Sequence, residues 1–384
     1  MMKISIVLGS QFGDEGKGSI TNWLTTQSSN PLVIRFNGGH QAGHTVVHNG
    51  IHHVFSSLGS GTLNYTPTYW SRFCTVFPPG FNREFDLLNE KGIKPMIYID
   101  PMAMISTPFD IDQARVEESK NNHGSCGVGF GKTVWRHETL DHSYRIFAKD
   151  LKYEWILREK LDAMKGLFGF NININSFIKE VRIFLERVQI KDSNILHDYE
   201  HLIFEGAQGI MLDREHGIFP YVTRSHCTSK NVWEILIKEK LTSEFRFVEC
   251  EIYYISRCYQ TRHGNGPLNG EGLFDMNDLQ NFENETNVTN EFQGEFRYAP
   301  FHFQNIKYAL ETDSIYSSKF NPKKTIVITC LDQIKDKIPI LKDDGAIKYI
   351  SKNVFVSTLR NSFYSTRLIT SSSPDTQNLQ FYEI

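Results

Sequence analysis

The feature that most constrains the fold is an apolar run at residues 4–8 that passes directly into a glycine-rich segment. This segment, GSQFGDEGKG, is followed by SITNWLTT, in which apolar side chains recur at helical spacing. The pattern predicts a buried strand, a glycine loop and a helix. Backbone N–H groups at a helix start carry partial positive charge, and glycines allow close approach of a ligand. We therefore expect this loop to bind phosphate.

The loop is not a Walker loop, because Gln11 stands where that motif needs its first glycine and Gly18 where it needs Ser or Thr. It still brings together Asp14, Glu15 and Lys17. Their carboxylates suit Mg²⁺ or proton transfer, and the ammonium group suits neutralisation of phosphate charge. The alternative is a surface loop with solvated charges, but so many glycines directly after a buried strand favour a functional loop.

Composition narrows the class of protein. The chain has 384 residues, 40% of them hydrophobic and 22% charged, with a formal charge of only −3. These values are typical of a globular protein and indicate neither a nucleic-acid nor a membrane partner. The first apolar run is too short for a signal peptide, and the six cysteines form no C-x-x-C pair. We expect a cytoplasmic protein, with residues 1–384 forming one elaborated domain.

Helical and strand patterns alternate along the chain. Amphipathic spacing predicts helices within residues 82–93, 110–120, 149–164 and 229–241, and apolar runs predict strands at 31–35, 201–206, 251–259, 325–332 and 365–372. Asn49-Gly50 between two β-rich runs predicts a hairpin. The predicted fold class is α/β, with a large, mostly parallel sheet flanked by helices and with hairpin and helical insertions.

Unusual loops follow several predicted strands. They are NGGHQAGHT, EGAQGIMLDREHGIFPYVTRS, TRHGNGP and TCLDQ. Any one of these loops could be an ordinary turn, and its histidines could be ordinary surface residues. Because ligands bind at the carboxyl ends of parallel strands, four such loops in one sheet favour an active site.

Five ordered stretches give the chain its resemblance to a known family. GDEGKG, NGGHQAGHT, FEGAQGIMLDREHGIFPYVT, TRHGNGP and TCLD together resemble adenylosuccinate synthetase. The resemblance implies a large, mostly parallel sheet and a homodimer in which one subunit lends an arginine to the other's site. It also implies condensation of a 6-oxopurine nucleotide with aspartate, with GTP as co-substrate and Mg²⁺ as cofactor.

The resemblance also implies residue roles. Asp14 corresponds to the base that removes the purine N1 proton and to a ligand of Mg²⁺, and His44 to the acid between the phosphoryl group and O6. Lys17 corresponds to the cation on the phosphates and Gln208 to the amide that orients the purine. Asp332 corresponds to the carboxylate that reads guanine. The remaining nucleotide-binding positions are Gly13, Glu15, Gly16, Gly18, Gly43 and Thr45, of which Gly43 also offers its carbonyl to the metal.

The positions expected to hold the substrate's 5′-phosphate depart from the family pattern. Gln41 replaces the usual Asn, and Ser125-Cys126 replaces a Thr-Thr pair, whereas Thr223 is kept. Arg136 is the nearest candidate for the arginine lent across the dimer.

The loop expected to hold the amine donor also departs, since NEFQGEFRYAPF replaces a run rich in threonine and arginine. Arg297 is its remaining cation, and Glu295 falls where another arginine is expected. Arg262 and His263, in TRHGNGP, are further substrate-binding candidates. A lysine near the guanine-reading carboxylate is replaced by Cys330. GTP is favoured, and ATP remains open.

Two other functions remain open. One is that of the phage enzymes that act on deoxyguanylate to begin 2-aminoadenine synthesis, or a related ligase that uses another amine; the intact Asp14 weighs against the phage branch. The other is a non-catalytic sensor of purine nucleotides. The intact set of Asp14, Lys17, His44 and Gln208 weighs against a sensor, which needs no proton-transfer groups.

Overall fold

A large sheet of mostly parallel strands forms the centre of the fold. The structure is a computed structural model that describes residues 2–121, 127–242, 249–281, 285, 294–375 and 379–382. With strands numbered along the chain, the ten strands of this sheet within the described residues lie in the order β18 (Leu379–Tyr382), β17 (Arg367–Ser371), β14 (Lys323–Thr329), β11 (Glu249–Arg257), β1 (Lys3–Gly9), β10 (His201–Glu205), β2 (Pro31–Arg35), β5 (Thr68–Trp70), β7 (Ile97–Ile99) and β9 (Gln189–Ile190).

Neighbouring strands of this sheet are parallel, except that β17 and β18 are antiparallel. The other described strands form two-stranded ribbons: β3 (His44–His48) with β4 (Ile51–Phe55), β6 (Thr75–Val76) with β8 (Met104–Ile105), β12 (Gln260–His263) with β13 (Phe296–Ala299), and β15 (Lys337–Leu341) with β16 (Ile347–Ser351).

Helices cover both faces of the sheet. Those in the described part of the chain are α1 (Lys17–Thr25), α2 (Pro78–Glu90), α3 (Pro108–Asn121), α4 (Phe130–Thr139), α5 (Glu154–Phe168), α6 (Ile174–Arg187), α7 (Lys230–Lys238), α8 (Phe303–Ser317) and α9 (Lys352–Ser362).

Side chains of β1 alternate between two apolar cores, as expected for a strand buried on both faces. Ile4, Ile6 and Leu8 pack in one core with residues of α7. Val7 packs on the opposite face in a core that includes Ile20 of α1. The strand is therefore fixed between two helical layers, and the loop that follows it is held at the edge of the sheet.

The predicted fold class is confirmed, and so are the predicted strands and the hairpin. Asn49 and Gly50 have φ values of 48° and 76°, as the tight turn between β3 and β4 requires. The prediction for residues 149–164 was partly wrong, because a 3₁₀ turn at Ala148–Lys152 precedes α5. Asp150 stabilises this turn by accepting hydrogen bonds from the Phe147 N–H at 3.0 Å and from Lys160 Nζ at 2.7 Å.

Candidate active site

A cavity of about 910 Å³ opens at the carboxyl ends of the central strands. The loops after β1, β2, β10 and β14 contribute to its wall, together with the ribbon strand β12. It brings together predicted site residues from distant parts of the sequence: Gly13, Asp14, Glu15, Gly16, Lys17, Gly18, Gln41, Gly43, His44, Thr45, Gln208, Thr223, Arg262, His263 and Asp332.

The loop after β1 is held in a tight turn. Gly13, Asp14 and Gly16 all have left-handed backbone conformations, with φ values of 97°, 57° and 89°. Gly16 is the N-cap of α1, so the first turn of this helix points its N–H groups toward the cavity wall. The Thr329 hydroxyl donates to the Glu15 carbonyl at 2.8 Å and joins this loop to the end of β14.

Lys17 and Glu15 form a buried ion pair at the base of this loop, with Nζ 3.4 Å from Oε2. The other Glu15 oxygen accepts the Gln11 N–H at 2.5 Å. Burial raises the pKa of Glu15 to about 7, against the opposing effect of Lys17. Near neutral pH, Glu15 therefore offsets only part of the Lys17 charge, and the rest can act on an anion.

His44 is oriented by a carboxylate at the end of β10. Its Nδ1 lies 2.6 Å from Oε1 of Glu205. Ser60 holds the same carboxylate through its hydroxyl and through its N–H, which is 3.0 Å from Oε2. Because Nδ1 bonds Glu205, Nε2 is the ring nitrogen that can act on a ligand.

Burial lowers the pKa of His44 against the opposing Glu205 carboxylate, and the nearby cations Arg35 and Lys17 lower it further. The pKa of Glu205 is also lowered: burial opposes ionisation, but His44, Arg35 and Ser60 together outweigh it. The pair is therefore a neutral imidazole that donates Nδ1–H to an ionised carboxylate.

Glu205 and Ser60 were not predicted from the sequence. Glu205 carries a signal, because a carboxylate at the end of the otherwise apolar run HLIFEG must have a partner if it is buried. Ser60 carries no such signal.

Asp14 lies at the edge of the cavity with its side chain 23% exposed and its Oδ2 4.0 Å from Nε2 of His263. Arg257 donates its Nε–H to the Asp14 carbonyl at 2.5 Å and pairs with Glu285 at 2.6 Å. These contacts fix the Asp14 backbone from behind and leave its carboxylate facing the cavity. Like Glu205 and Ser60, Arg257 was not singled out by the sequence analysis.

Gln208 has a left-handed backbone conformation like that of Asp14, with φ 58°. Next to it, Gly209 packs so closely on the β1 loop that an added Cβ would lie 2.2 Å from the Gln11 carbonyl oxygen. Gln41 has both polar atoms of its side chain buried without a hydrogen-bond partner. A buried amide without partners is suited to a polar ligand.

Asp332 lies at the end of the cavity formed by β14. It is partly buried, and this burial raises the pKa of its carboxyl group. Cys330, two residues earlier, has a left-handed backbone with φ 63° and turns the chain so that Asp332 reaches the cavity wall.

The sequence matches the adenylosuccinate synthetase family profile over residues 6–336. The chain belongs to this family. The adenylosuccinate synthetase of Neisseria meningitidis is 32% identical to it over 300 residues, which cover 72% of this chain and 66% of that protein. The match therefore spans just under two thirds of the relative's length.

Solved structures show the same fold. The fully ligated adenylosuccinate synthetase of Plasmodium falciparum has a TM-score of 0.75 at 18% identity and covers 99% of both chains. The cyanophage S-2L succinoaminodeoxyadenylate synthetase, bound to dGMP and to dATP as an energy donor, has a TM-score of 0.69 at 14% identity. That comparison covers 99% of this chain and 95% of the other.

The match to the adenylosuccinate synthetase family ends before several residues that complete the cavity. Ser371, Ser373 and Pro374 line it beside Asp332. They follow β17 and lie outside the residues matched to the family profile.

Arg136 does not lie where the resemblance to adenylosuccinate synthetases suggested. It is fully buried, and its Nε and Nη2 each lie 2.8 Å from an oxygen of Asp110. It also donates to the carbonyls of Ile105 and Tyr144 at 2.7 and 2.5 Å. All of this guanidinium group is used within its own subunit, which corrects the prediction that Arg136 is lent across a dimer.

Arg297 is also absent from the described residues that line the cavity. It pairs with Glu271 at 2.7 Å and donates to the carbonyls of Gly264 and Gly266 at 2.5 and 3.0 Å. It therefore supports the loop after Arg262 rather than facing a substrate. Glu295 is exposed, and Ser125 and Cys126 lie outside the described residues.

The donors present fit a magnesium ion held mainly by nucleotide phosphates. In the described part of the chain, no group of three or more His, Cys, Asp or Glu residues could hold a metal by itself. The cavity instead offers the Asp14 carboxylate and the backbone of Gly43. Hard oxygen donors in small number are typical of Mg²⁺ sites completed by phosphate and water.

No described helix has the length and apolar character needed to cross a membrane.

Proposed function

We propose that the protein is a ligase that phosphorylates O6 of IMP. The amine of aspartate then displaces the phosphorylated oxygen from C6, giving adenylosuccinate. The observation that carries this proposal is the arrangement of Asp14, Lys17 and the His44–Glu205 pair around one cavity at the strand ends. Family membership supports the same chemistry. Because a purine carbonyl is a poor electrophile, it must be activated before an amine can displace its oxygen.

Asp14 acts as the base on N1 of the purine. Its carboxylate faces the cavity, while its backbone is fixed by Arg257. Loss of the N1 proton places negative charge on O6, which then attacks the γ-phosphorus of the triphosphate. Gln208, opposite this loop, orients the purine through its side-chain amide.

His44 stabilises the charge that develops between O6 and the phosphoryl group. Burial lowers the pKa of His44. Arrival of the anionic substrates opposes this effect, because nearby negative charge favours the imidazolium. Glu205 then balances the charge on Nδ1, and the Nε2–H donates to the transferring group.

The triphosphate lies along the loop at residues 13–18. Its phosphates accept from backbone N–H groups at the start of α1 and from Lys17. Asp14 and the Gly43 carbonyl would hold Mg²⁺, which supplies further neutralisation of phosphate charge when bound.

Asp332 supports GTP as the co-substrate. A carboxylate can accept from both N1–H and N2–H of guanine, whereas the N1 lone pair of adenine would meet like charge. ATP is the alternative because Cys330 stands where the family has a lysine.

Aspartate is proposed as the amine donor, with Arg262 as a cation in the cavity wall. Its guanidinium packs 4.4 Å above the Phe12 ring. Burial, together with the neighbouring Arg297, lowers the pKa of Arg262 to about 10, so it stays charged near neutral pH. A carboxylate bound there would stabilise a positive charge that burial disfavours.

We also propose a homodimer, as the family resemblance implies. Because Arg136 is committed to Asp110, any cation lent across that dimer comes from another residue.

The experiment that tests the function measures phosphate release and purine product over a matrix of substrates. GTP and ATP are each combined with IMP, GMP or dGMP and with a panel of amino acids. We expect turnover with GTP, IMP and aspartate, and loss of the preference for GTP in Asp332→Asn. Preferred use of dGMP would favour the 2-aminoadenylosuccinate alternative, and turnover with no combination would contradict a ligase.

A further inference from the structure

A second cavity of about 360 Å³ lies between the β3–β4 hairpin, α2 and α3. It is separate from the active-site cavity, although Val128 lines both. We propose that it binds a small organic anion, a phosphate monoester or a carboxylate, that carries an N–H or O–H group at its other end. This proposal is independent of the ligase reaction.

The floor of this cavity holds three buried polar atoms without a hydrogen-bond partner: His40 Nδ1, His53 Nε2 and Ser57 Oγ. His53 is 5% exposed and Ser57 1% exposed. A buried polar atom without a partner destabilises the fold. Three around one cavity indicate a space shaped for a polar occupant.

The hydrogen bonds on the far sides of the two imidazoles fix what each presents to the cavity. His40 Nε2 lies 2.7 Å from the Val128 carbonyl and must donate to it. Burial lowers the pKa of His40 to about 4, so the ring is neutral and Nδ1 is an acceptor.

His53 has the opposite arrangement. Its Nδ1 lies 3.2 Å from Lys91 Nζ and accepts from it. Nε2 therefore carries the proton and can donate toward the cavity, because Glu84 Oε1, at 3.8 Å, is too far away for a hydrogen bond. With the Ser57 hydroxyl, the floor offers a donor, an acceptor and a group that can be either.

The mouth of the cavity is positively charged. Arg83 and Arg115 are exposed residues in its lining, and Glu84 is the one acidic residue among the described lining. The Glu84 oxygens are already engaged by the chain around them, since they accept from the N–H groups of Ser56, Ser57 and Leu58 at 2.6 to 3.3 Å. The arginines therefore favour an anion, which can make bidentate contacts with a guanidinium.

The size and the remaining walls favour an organic molecule over a bare ion. Phe77, Leu87 and Ile111 supply apolar surface between the arginines and the floor. A volume of about 360 Å³ is within the range of small-ligand sites and far exceeds that of one phosphate ion. The anionic end thus meets the arginines, and the polar end meets His40, His53 and Ser57.

The test measures binding of glycerol 3-phosphate and of glycerate to the full chain by calorimetry, with glycerol as the uncharged probe. We expect one or both anions to bind and glycerol not to bind. Arg83→Gln should weaken anion binding at least tenfold, because the guanidinium contact is lost. Since Arg83 is exposed, the substitution should leave the fold intact. Ser57→Ala should weaken binding severalfold. Arg360→Gln, at an exposed position of α9 outside both cavities, is the control and should leave the affinity unchanged.

The imidazole ¹⁵N signals of His40 and His53 provide a readout at the cavity itself and should shift on titration. The proposal is overturned if neither anion binds, or if Arg83→Gln binds as tightly as Arg360→Gln. It is also overturned if binding disappears in Lys17→Ala but persists in Arg83→Gln, which would place the anion at the loop after β1. None of these outcomes bears on the ligase reaction.

Discussion

Three non-glycine residues of the described cavity lining, Asp14, Gln208 and Cys330, have left-handed backbone conformations that residues other than glycine rarely adopt. Asp14 and Gln208 have φ values of 57° and 58°. Such positions cost of the order of 1 kcal/mol and persist where the surrounding structure holds them. At both positions the unusual turn directs a polar side chain toward the cavity, which supports direct roles for them in substrate binding and catalysis.

Replacing Asp14 with Asn removes its capacity to take a proton while keeping its size. We expect Asp14→Asn to lower kcat by about 100-fold or more, as is typical for a positioned base. Affinity for the triphosphate should change less than about threefold, because backbone N–H groups and Lys17 hold the phosphates. Steady-state kinetics and equilibrium binding measure the two effects. Asp162→Asn, at an exposed position of α5, is the matched control. A near-normal kcat in Asp14→Asn would refute the role of Asp14 as the base.

In the proposed mechanism, Glu205 is a positioning residue that acts through His44. In Glu205→Gln the amide cannot balance charge on the imidazolium, so we expect kcat to fall by about tenfold or more while triphosphate affinity stays within about threefold. Comparison of kcat with the dissociation constant separates this effect from general damage to the fold. Equal loss in both quantities would show that Glu205 is needed only for structure.

The buried Glu15 gives a test in pH dependence. Its pKa is raised from 4.5 to about 7 by burial, so the folded state binds its proton more tightly than the unfolded state. Its contribution to stability is therefore fully present below pH 4.5 and is lost as pH rises through about 7. Urea unfolding from pH 4.5 to 7 should show a smaller decline in stability for Glu15→Gln than for the parent protein. Glu311→Gln, at an exposed position, should keep the parent's slope, and an unchanged slope in Glu15→Gln would contradict the assignment.

At the scale of elements, the site depends on close contact between the loops after β1 and β10. An added Cβ at Gly209 would lie 2.2 Å from the Gln11 carbonyl oxygen and 2.8 Å from the Gly13 N. Both are backbone atoms of the phosphate loop, and neither can move without moving Asp14. The spacing of these two loops therefore sets the distance between the proposed base, Asp14, and the amide of Gln208.

Gly209→Ala should accordingly lower both stability and kcat, the first by about 1–3 kcal/mol as for other overpacked sites. The matched control is Gly166→Ala in α5, where an added Cβ has nothing within 4 Å. That substitution should be neutral or stabilise the protein by about 0.5–1 kcal/mol. Thermal unfolding and steady-state kinetics of the pair measure both effects, and equal behaviour of the two variants would contradict the close packing.

The elements that could be predicted were those with a local apolar pattern. Strands β1, β2, β10, β11, β14 and β17 appear as short apolar runs because both of their faces are buried. Helix α8 was not predicted, because it buries polar residues. Its Asp313 accepts from the Tyr254 hydroxyl at 2.8 Å and from the Ser229 N–H at 2.6 Å, partners that no local pattern reveals.

At the scale of the whole molecule, the candidate site combines residues that are far apart in sequence. His44 and Glu205 are separated by 161 positions, and Thr329 reaches the Glu15 carbonyl across 314 positions. Motifs predicted most of the residue types around the cavity, because glycines and isolated polar groups mark the strand ends. The pairing of His44 with Glu205 and of Arg136 with Asp110 depends on the three-dimensional fold, so the sequence predicted neither.

The central claim is that O6 of the purine receives the phosphoryl group before the amine displaces it. If so, the bond between C6 and O6 breaks, and the oxygen leaves as part of inorganic phosphate. IMP labelled with ¹⁸O at O6 should therefore give ¹⁸O-labelled phosphate and unlabelled adenylosuccinate in the presence of GTP, Mg²⁺ and aspartate, with one labelled oxygen per turnover by mass spectrometry. Phosphate without the label, released at the same rate in the presence and absence of IMP, would show plain hydrolysis of GTP and contradict the proposed reaction.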